Sequence, residues 1–353
     1  MNDTSLSALL PPLHFLLLGY GHVAQAVLPL LASRSEWIGN ELGYRPVMSG
    51  IGTRSNGFYV HRQGMDTNQI AREGLQAFGD EATRVETAHA FINAGKAAGA
   101  TLLIELTTLN PQDGQPALMH IRTALQAGMD VITANKGPVA FAQAELQSLA
   151  RYHNVQFRFE STVMDGLPLI NLHQFTLQAV GMRSFRALLN TTSSLVLSMV
   201  EQGYTMDEAI AKAQQLGIAE ADPWYDLDGL DAAMKTTILA NNLLGGQLTP
   251  NMVERKGLRN LTLDEICAAG LAGTPIRLVS QAHREHGQLI ASVYPCKISQ
   301  DDILQVGKGT TSVISIDTEA MGTITLVEHE PEVIQTAYGV LGDLITILRQ
   351  RAT

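Results

Sequence analysis

Five carboxylates precede one lysine in the stretch from Gly217 to Lys235, GIAEADPWYDLDGLDAAMK. Only 16% of the chain is charged, so this density of acidic residues is unusual for it. Carboxylates beside an ammonium, next to a proline and two aromatic residues, suit a loop that enters a helix while it holds a polar small molecule. The stretch is therefore the first candidate site, and its acidic members are Glu220, Asp222, Asp226, Asp228 and Asp231.

A helix is expected to begin near Gly229, because Asp228 is a good N-cap and the residues that follow turn apolar. Asp231 then lies in the first turn, and Lys235 lies four residues later on the same face. This spacing leaves two interpretations open. Asp231 and Lys235 are either an ordinary surface pair, worth about 0.3–0.5 kcal/mol, or two members of a binding site.

The elements that must position this stretch belong to a chain long enough for two domains. It has 353 residues, 45% of them hydrophobic, and a formal net charge of −10 at pH 7. The acidic balance argues against nucleic acid or an acidic membrane as the main partner. Cys267 and Cys296 lie outside any C-x-x-C pattern, and the sequence shows neither a signal peptide nor a long apolar run. We expect a soluble, cytoplasmic protein.

A glycine fingerprint follows the first apolar run, Leu13 to Leu18. The order of strand, glycine turn and helix is the context in which G-x-G-x-x-G/A binds a dinucleotide. Gly19 permits the tight turn, Gly21 lets the backbone approach the diphosphate, and Ala24 allows close packing of helix on strand. The fingerprint predicts cofactor contacts at Gly19, Gly21, His22, Val23 and Ala24.

The end of the second expected strand, Pro46 to Gly52, bears on the choice of cofactor. An NAD site usually has an acidic residue there for the ribose 2′-hydroxyl, whereas an arginine accommodates the 2′-phosphate of NADP. This chain has Thr53 and Arg54 and no carboxylate. We therefore predict NADP, with NAD as the alternative if Arg54 is only a solvated loop cation.

Strand and helix patterns alternate through residues 1–150, which indicates a Rossmann dinucleotide-binding domain with a parallel sheet. Ligands bind at the carboxyl ends of such strands, so Thr107, Thr108, Asn135 and Lys136 are expected at the site. The helix at 333–353 should complete this domain. Residues 151–332 are expected to form an α+β substrate-binding and dimerisation domain with a mixed sheet. The fold class is α/β.

The second half carries two capping boxes, Thr205 with Glu208 and Thr262 with Glu265, each of which should open a helix. Four segments read as strands of the mixed sheet: 276–283, 288–294, 311–317 and 322–328. Because such a sheet would leave one apolar face uncovered, we expect the protein to dimerise through it.

Three further segments resemble homoserine dehydrogenases. They are TANKGP at Thr133–Pro138, E-x-T-V-x-x-G-x-P from Glu160 to Pro168, and E-x-D-P…D-L-x-G-x-D-x-x-x-K from Glu220 to Lys235. With the glycine fingerprint they span nearly the whole chain. The resemblance implies NAD(P)-dependent interconversion of L-homoserine and L-aspartate 4-semialdehyde, a step of threonine and methionine biosynthesis, usually by a homodimer.

The resemblance also implies roles for particular residues. Lys136, Asp231 and Lys235 match catalytic positions, and Thr192, Glu220 and Asp226 match substrate contacts. A monovalent cation such as Na⁺ is implied at Glu160, Val163, Asp165 and Leu167. Oxygen ligands of this kind suit a hard cation.

The chain departs from the family pattern in two places. Thr191 replaces the glycine of an N-G-T-x-N segment, and residues 328–332 read EHEPE where a glycine cluster, G-x-G-A-G, is common. The chain ends at Thr353, directly after the expected last helix, so we expect a short form without the C-terminal regulatory domain of longer relatives.

Two other functions stay open from the sequence. One is a different Rossmann-fold dehydrogenase of amino-acid metabolism, such as one acting on a phosphorylated acid, which would need an acyl-accepting cysteine. Neither Cys267 nor Cys296 follows a motif that suits this chemistry. The other is a catalytically weak, NADP-binding sensor.

Overall fold

The computed structural model describes residues 10–74 and 81–351, which form two compact units. The first unit contains the chain up to Pro168 and again from Glu332, and the second is Leu169–Pro331. The sequence analysis placed the first boundary after residue 150, earlier than the structure does.

The first unit is built on a seven-stranded sheet of order β4-β3-β2-β1-β5-β6-β7. Its strands are β1 (Pro12–Leu18), β2 (Arg45–Thr53), β3 (Gly57–Asp66), β4 (Thr83–Val85), β5 (Leu102–Glu105), β6 (Asp130–Thr133) and β7 (Phe157–Arg158). Its helices up to Pro168 are α1 (His22–Ser33), α2 (Ser35–Leu42), α3 (Thr67–Glu73), α4 (Ala88–Ala97), α5 (Ala117–Gln126) and α6 (Lys136–Tyr152). The five strands from β2 to β7 in this order run parallel, which confirms the Rossmann expectation.

Two antiparallel strands at one edge were not expected. The backbone N–H of Asn56 donates to the Thr53 hydroxyl (2.9 Å), which stabilises a turn that sends the chain back along β2 as β3. Strand β4 then pairs with β3. The helix that follows begins at Thr67 and is described as far as Glu73, and residues 75–80 lie outside the described part of the chain.

The second unit has a six-stranded sheet of order β13-β12-β8-β10-β11-β9, which is antiparallel except where β9 pairs with β11. This confirms the expected mixed sheet. The strands are β8 (Met182–Leu188), β9 (Glu254–Arg255), β10 (Ile276–Glu285), β11 (Gln288–Lys297), β12 (Ser312–Thr318) and β13 (Gly322–Glu328). The helices are α7 (Leu169–Asn171, continuing as a π-helix over Leu172–Thr176), α8 (Thr191–Glu201), α9 (Met206–Gln215), α10 (Trp224–Leu227), α11 (Leu230–Leu243) and α12 (Leu263–Leu271).

Both predicted capping boxes are confirmed. The Thr205 hydroxyl accepts from the N–H of Glu208 (3.3 Å), and the Glu208 carboxylate accepts from the N–H of Thr205 (2.8 Å). Thr262 and Glu265 repeat this arrangement at the start of α12. Two orphan N–H groups are satisfied at each helix start, so local sequence alone determines where these helices begin.

The predicted cap of α11 was wrong. Gly229 is the N-cap, in a left-handed conformation (φ 77°) that a residue with a side chain rarely adopts. Asp228 instead ends α10, and its carboxylate accepts two hydrogen bonds from the Arg259 guanidinium at 2.7 Å.

The face of the second sheet opposite α11 is mixed. It carries a polar row along its middle, and at one end Leu188, Val279 and Val313 are buried in an apolar cluster with Ile298 and Leu304. Ser315 pairs with Arg186, which also pairs with Gln281, and Gln281 pairs with Ser292. These residues therefore form one row across four strands, on the side opposite the face that α11 contacts through Val293. The argument from an uncovered apolar face gives no support to dimerisation here, and the homodimer stays a prediction.

The last helix, α13 (Val333–Arg351), packs in the first unit, where Val340 and Leu344 join the core formed by β1 and α1. Its Asp343 accepts a hydrogen bond from the N–H of Glu160 (2.8 Å). This contact explains why the first unit extends beyond residue 150. In the described part of the chain, no helix combines the length and the apolar composition that crossing a bilayer requires.

Candidate active site

The glycine turn after β1 is built for close approach to its neighbours. Gly19 has φ 91°, and a Cβ there would collide with the carbonyl oxygen of Leu106. Gly21 is the N-cap of α1, makes no side-chain capping bond, and has no atom within 4 Å of the position of a Cβ. The N-terminus of α1 thus has no side-chain cap and has free space beside Gly21, which fits the close approach of a dinucleotide diphosphate. His22 beside them is exposed, Val23 is half-buried and Ala24 is buried.

A buried carboxylate braces the neighbouring strand ends, and the sequence analysis missed it. Glu105 ends β5 and is 0% exposed. Its carboxylate accepts from the N–H of Thr107 (3.2 Å), from the Thr107 hydroxyl and from the Thr133 hydroxyl (3.2 Å). His120 Nδ1 lies 3.6 Å from the same carboxylate. A single charged residue that closes the apolar strand LLIE was the available signal.

The start of α6 is tied to this network. Asn135 caps the helix by accepting from the N–H of Gly137 (3.1 Å), and its amide donates to the carbonyl of Thr107 (3.0 Å). Lys136, the first residue of α6, is half-buried. Thr108 is exposed, as is Arg54 in the turn after β2. All of these residues follow parallel strands at their carboxyl ends, where the fold places ligands.

Lys235 and Asp231 form a pair in the second unit that is not on the surface. Lys235 Nζ lies 3.6 Å from Asp231 Oδ2, and the two side chains are 15% and 6% exposed. The same ammonium donates to the carbonyl of Leu189 at 2.7 Å. The interpretation as an ordinary exposed pair is therefore wrong, and both groups have fixed positions.

Asn190 joins this pair to a second carboxylate. Its amide nitrogen donates to Asp231 Oδ2 (2.9 Å) and to Asp226 Oδ1 (2.7 Å). The Thr192 hydroxyl donates to the other oxygen of Asp226 (3.0 Å). The structure thus brings together Thr192, Asp226, Asp231 and Lys235 around a residue that the sequence analysis did not select.

Glu220 is exposed but acts on the same region electrostatically. Burial raises the pKa of Tyr225, and the negative charges of Asp231, Asp226 and Glu220 raise it further. The phenol therefore stays protonated, and its hydroxyl donates to the sulfur of Met234 (3.0 Å). Three of the five acidic residues of the Gly217–Lys235 stretch consequently share one electrostatic neighbourhood.

The other two acidic residues have structural contacts. Asp222 accepts from the N–H of Trp224 (3.1 Å) at the start of α10. Asp228 is bound by Arg259, whose guanidinium lies 3.8 Å from the centre of the Trp224 ring. These contacts fix the loop and leave the remaining acidic residues to the candidate site.

Comparison with known proteins decides the family. A model of the homoserine dehydrogenase family matches residues 168–345. Over 342 residues the chain is 37% identical to an NAD(+)-dependent homoserine dehydrogenase from Pseudomonas canavaninivorans, and the match covers 96% of each chain. The chain belongs to the homoserine dehydrogenase family. The resemblance seen in the sequence is thereby confirmed.

Solved homoserine dehydrogenases share the fold. A putative homoserine dehydrogenase from Archaeoglobus fulgidus superposes with a TM-score of 0.83 at 27% identity, over 95% of this chain and 99% of that one. A hyperthermophilic archaeal homoserine dehydrogenase in complex with NADPH gives a TM-score of 0.80 at 28% identity, over 96% and 98%. The family consists of NAD(P)-dependent oxidoreductases, so neither a different dehydrogenase nor a sensor is favoured.

The two departures from the homoserine dehydrogenase pattern are local. Thr191 opens α8 behind the N-cap Asn190 and is not among the described residues with positive φ, so this turn does not require a glycine. Glu328 ends β13 and is 8% exposed, and Glu330 has φ 44°.

The segment that resembles the cation site of homoserine dehydrogenases lies against α13. Glu160 is 3% exposed, and Asp165, with φ 41°, accepts from the Thr336 hydroxyl (2.7 Å). Val163 is buried and Leu167 is half-buried. Burial lowers the pKa of Arg158, and the charges of Asp343, Asp130 and Glu160 act in the opposite direction. The guanidinium of Arg158 therefore already interacts electrostatically with the Glu160 carboxylate.

The cysteines do not suit an acyl-transfer dehydrogenase. The Cys267 thiol donates to the carbonyl of Val200 (3.3 Å), and burial raises the pKa of the Cys296 thiol. A thiol with a raised pKa is a poor nucleophile at neutral pH. Across residues 10–74 and 81–351, no group of three or more His, Cys, Asp or Glu residues could hold a metal ion.

Proposed function

We propose that this chain interconverts L-homoserine and L-aspartate 4-semialdehyde, as a step of threonine and methionine biosynthesis. The observation that carries the proposal is the largely buried group in which Asn190 bonds Asp226 and Asp231 while Lys235 lies beside Asp231. An amino alcohol requires both a binding site for its ammonium group and a proton acceptor for its hydroxyl. This group offers the two together.

Lys235 and Lys136 are the candidates for proton transfer. In the oxidation, the hydroxyl O–H bond and one C–H bond of the alcohol carbon break, and a carbon–oxygen double bond forms. NAD(P)⁺ supplies the hydride acceptor. The proton passes to a lysine in its neutral amine form, and the contacts of Lys235 with Leu189 and Asp231 support this role for it. Asp231 orients the amine and offsets the charge that it gains.

Glu220 and Asp226 bind the substrate ammonium in this proposal. A cation is attracted where carboxylates share one field, and these two both act on Tyr225. Thr192 positions Asp226 through its hydroxyl. Because Tyr225 stays protonated, its side chain contributes no charge to this region.

For the cofactor we propose contacts from Gly19, Gly21, His22, Val23, Ala24, Thr107, Thr108 and Lys136, together with Thr53 and Arg54, and a preference for NADP. Arg54 is an exposed cation at the end of β2, and no carboxylate stands there to meet the ribose. One relative is NAD(+)-dependent, and one structural neighbour holds NADPH. Assays of this protein with each cofactor in turn therefore decide between NADP and NAD.

A monovalent cation, a homodimer and a cytoplasmic location complete the proposal. The cation would take oxygens at Glu160, Val163, Asp165 and Leu167, and activity in potassium, sodium and choline chloride tests it. Arg158 competes with the cation for the negative charge of Glu160. Equal activity in the three salts would therefore refute the proposed cation site. Light scattering measures the oligomer. Both cysteines are free thiols, as in a reducing compartment.

The direct experiment incubates the purified chain with L-homoserine and NADP⁺ or NAD⁺. The absorbance of the reduced nicotinamide is followed, and the aldehyde is trapped as a hydrazone. We expect homoserine-dependent reduction and trapping of L-aspartate 4-semialdehyde, faster with NADP⁺. The absence of both signals would refute the proposed function.

A further inference from the structure

We propose that Asn190 is a positioning residue that holds the two carboxylates of the candidate substrate site together without neutralising them. The inference deepens the proposed function and rests on it for its kinetic consequences. Its effect on stability can be measured without any substrate.

Asn190 uses both ends of its amide. The carbonyl oxygen accepts from the N–H of Ser193 (2.8 Å) and caps α8. The nitrogen donates one bond to Asp226 (2.7 Å) and one to Asp231 (2.9 Å). Its two hydrogens are therefore committed to carboxylates from two different helices, α10 and α11.

The neutrality of the donor matters. Two carboxylates that bond the same nitrogen are close enough to repel each other, and like charges at short range raise the pKa of one partner. An amide offsets this repulsion through hydrogen bonds and leaves the charge of both carboxylates in place. A lysine or arginine there would cancel the charge that attracts a substrate ammonium. Asn190 therefore sets the spacing of the two carboxylates and adds no charge beside Asp226, whereas Lys235 already lies beside Asp231.

The ordinary alternative is that Asn190 is only the N-cap of α8. The two roles predict opposite results for Asn190→Asp. Aspartate caps a helix as well as asparagine does, and its negative charge is favourable at a helix N-terminus. A pure cap would therefore keep or gain stability. A bridging amide would lose both donors and place a third carboxylate beside Asp226 and Asp231.

The first measurement is thermal unfolding of the full chain at about pH 5 and pH 8. The groups that act on this position are Asp226 from α10, Asp231 and Lys235 from α11, and Glu220 from the preceding loop, with Tyr225 neutral. In Asn190→Asp, the third carboxylate beside the other two is expected to raise the folded-state pKa of at least one of them above its unfolded value. Stability is then retained when a carboxyl group is protonated and is lost as the pH rises through the folded-state pKa. We expect Asn190→Asp to melt below the parent at pH 8 and to recover part of the difference at pH 5.

The second measurement is steady-state kinetics of Asn190→Ser and Asn190→Asp. Serine also caps a helix, and it keeps one neutral donor. We expect kcat/KM for L-homoserine to fall about tenfold in Asn190→Ser and at least about a hundredfold in Asn190→Asp, while the cofactor Kd stays within about threefold. Asn190→Ser should show no pH-dependent loss of stability.

Asn241→Asp is the matched control. Asn241 also lies on α11 and bonds only backbone groups in the contacts described, the carbonyl and N–H of Leu248. This variant should lose some stability without a change in KM for homoserine. If Asn190→Asp melts at or above the parent at both pH values, the positioning role is refuted, whatever the activity. If the parent oxidises no homoserine, the proposed function fails, and the melting result still decides the role of Asn190.

Discussion

The two halves of the chain carry proposed binding residues of different kinds. In the first unit the residues proposed for the cofactor are mainly backbone groups, at the glycine turn of Gly19 and Gly21 and the N-terminus of α1. In the second unit the residues proposed for the substrate are charged side chains, Asp226, Asp231 and Lys235, and Asn190 bonds the two aspartates. Backbone N–H groups bind a diphosphate by hydrogen bonds whose directions the fold sets. Charged side chains bind an amino acid by attraction to its ammonium and carboxylate groups.

The difference teaches where each half is sensitive. Backbone N–H groups cannot be removed by substitution, so the first half is damaged only when a side chain fills space that the chain or the cofactor needs. The second half depends on ionisable groups, and a change of one charge alters it without any steric change. The predictions below test this contrast, from the largest expected effect to the smallest.

Lys235→Met should give the largest loss, because it removes the proposed proton acceptor and keeps most of the apolar stem. We expect kcat to fall by about 10²–10⁴ while the cofactor Kd is unchanged. Lys235→Arg is the sharper companion, since arginine keeps the positive charge but does not give up its proton. Steady-state turnover, a cofactor titration and a thermal melt measure both. Activity of Lys235→Met within about threefold of the parent would leave Lys136 as the proton acceptor.

Gly21→Ala and Gly19→Ala should separate cofactor binding from folding. A Cβ on Gly21 meets no protein atom, so the melting temperature should hold while the Kd of NADP rises about tenfold or more, which is about 1.4 kcal/mol. A Cβ on Gly19 would collide with the backbone of Leu106, and the positive φ at this position would strain any residue with a side chain. Gly19→Ala should therefore lose about 1–3 kcal/mol of stability. Equal effects of the two variants on melting would contradict the open space assigned to Gly21.

Arg54→Ala tests the one side-chain charge proposed for the cofactor half. The KM for NADP should rise about tenfold and that for NAD by less than about twofold, because only NADP carries the 2′-phosphate. Arg151→Ala, which removes an exposed arginine from the last turn of α6, is the control and should change neither value. Equal losses for the two cofactors would show that Arg54 does not contact the 2′-phosphate.

Thr205→Ala should give the smallest effect, because its capping box includes none of the proposed cofactor or substrate residues. Bonds from Thr205 hold the pKa of Glu208 below its ordinary value. Their contribution is therefore present above the unfolded pKa near 4.5 and is lost as the pH falls through the folded-state value. We expect the melting temperature to fall by about 2–4 °C at neutral pH and by less in acid, with unchanged kcat. A change in kcat would link α9 to the site.

The sequence was sufficient where local conformation determines the outcome. The glycine turn and the two capping boxes each depend on residues within a few positions of one another, and the structure has all of them. The E-x-D-P…K stretch likewise revealed Asp226, Asp231 and Lys235 as a set.

The rest depends on contacts between distant segments. Asn190 lies 36 and 41 residues from the aspartates that it bonds, so no spacing rule selects it. Glu105 reads as the end of a strand until its bonds to Thr107 and Thr133 are seen. Aspartate is a preferred N-cap residue, so the sequence favours Asp228 as the cap of α11. In the structure its carboxylate is bound by Arg259, which lies in a later loop.

The central claim is that the carboxylates of the second unit recognise the ammonium group of an amino alcohol. The most direct test compares L-homoserine with 4-hydroxybutanoate, which has the same hydroxyl and carboxylate and no amino group. Rates of NADP⁺ reduction by the parent are measured with each compound. We expect kcat/KM for 4-hydroxybutanoate to be lower by a factor of about 10³ or more, because Asp226 and Glu220 would be left without the ammonium group that they are proposed to bind. Equal values for the two compounds, within about tenfold, would contradict the account.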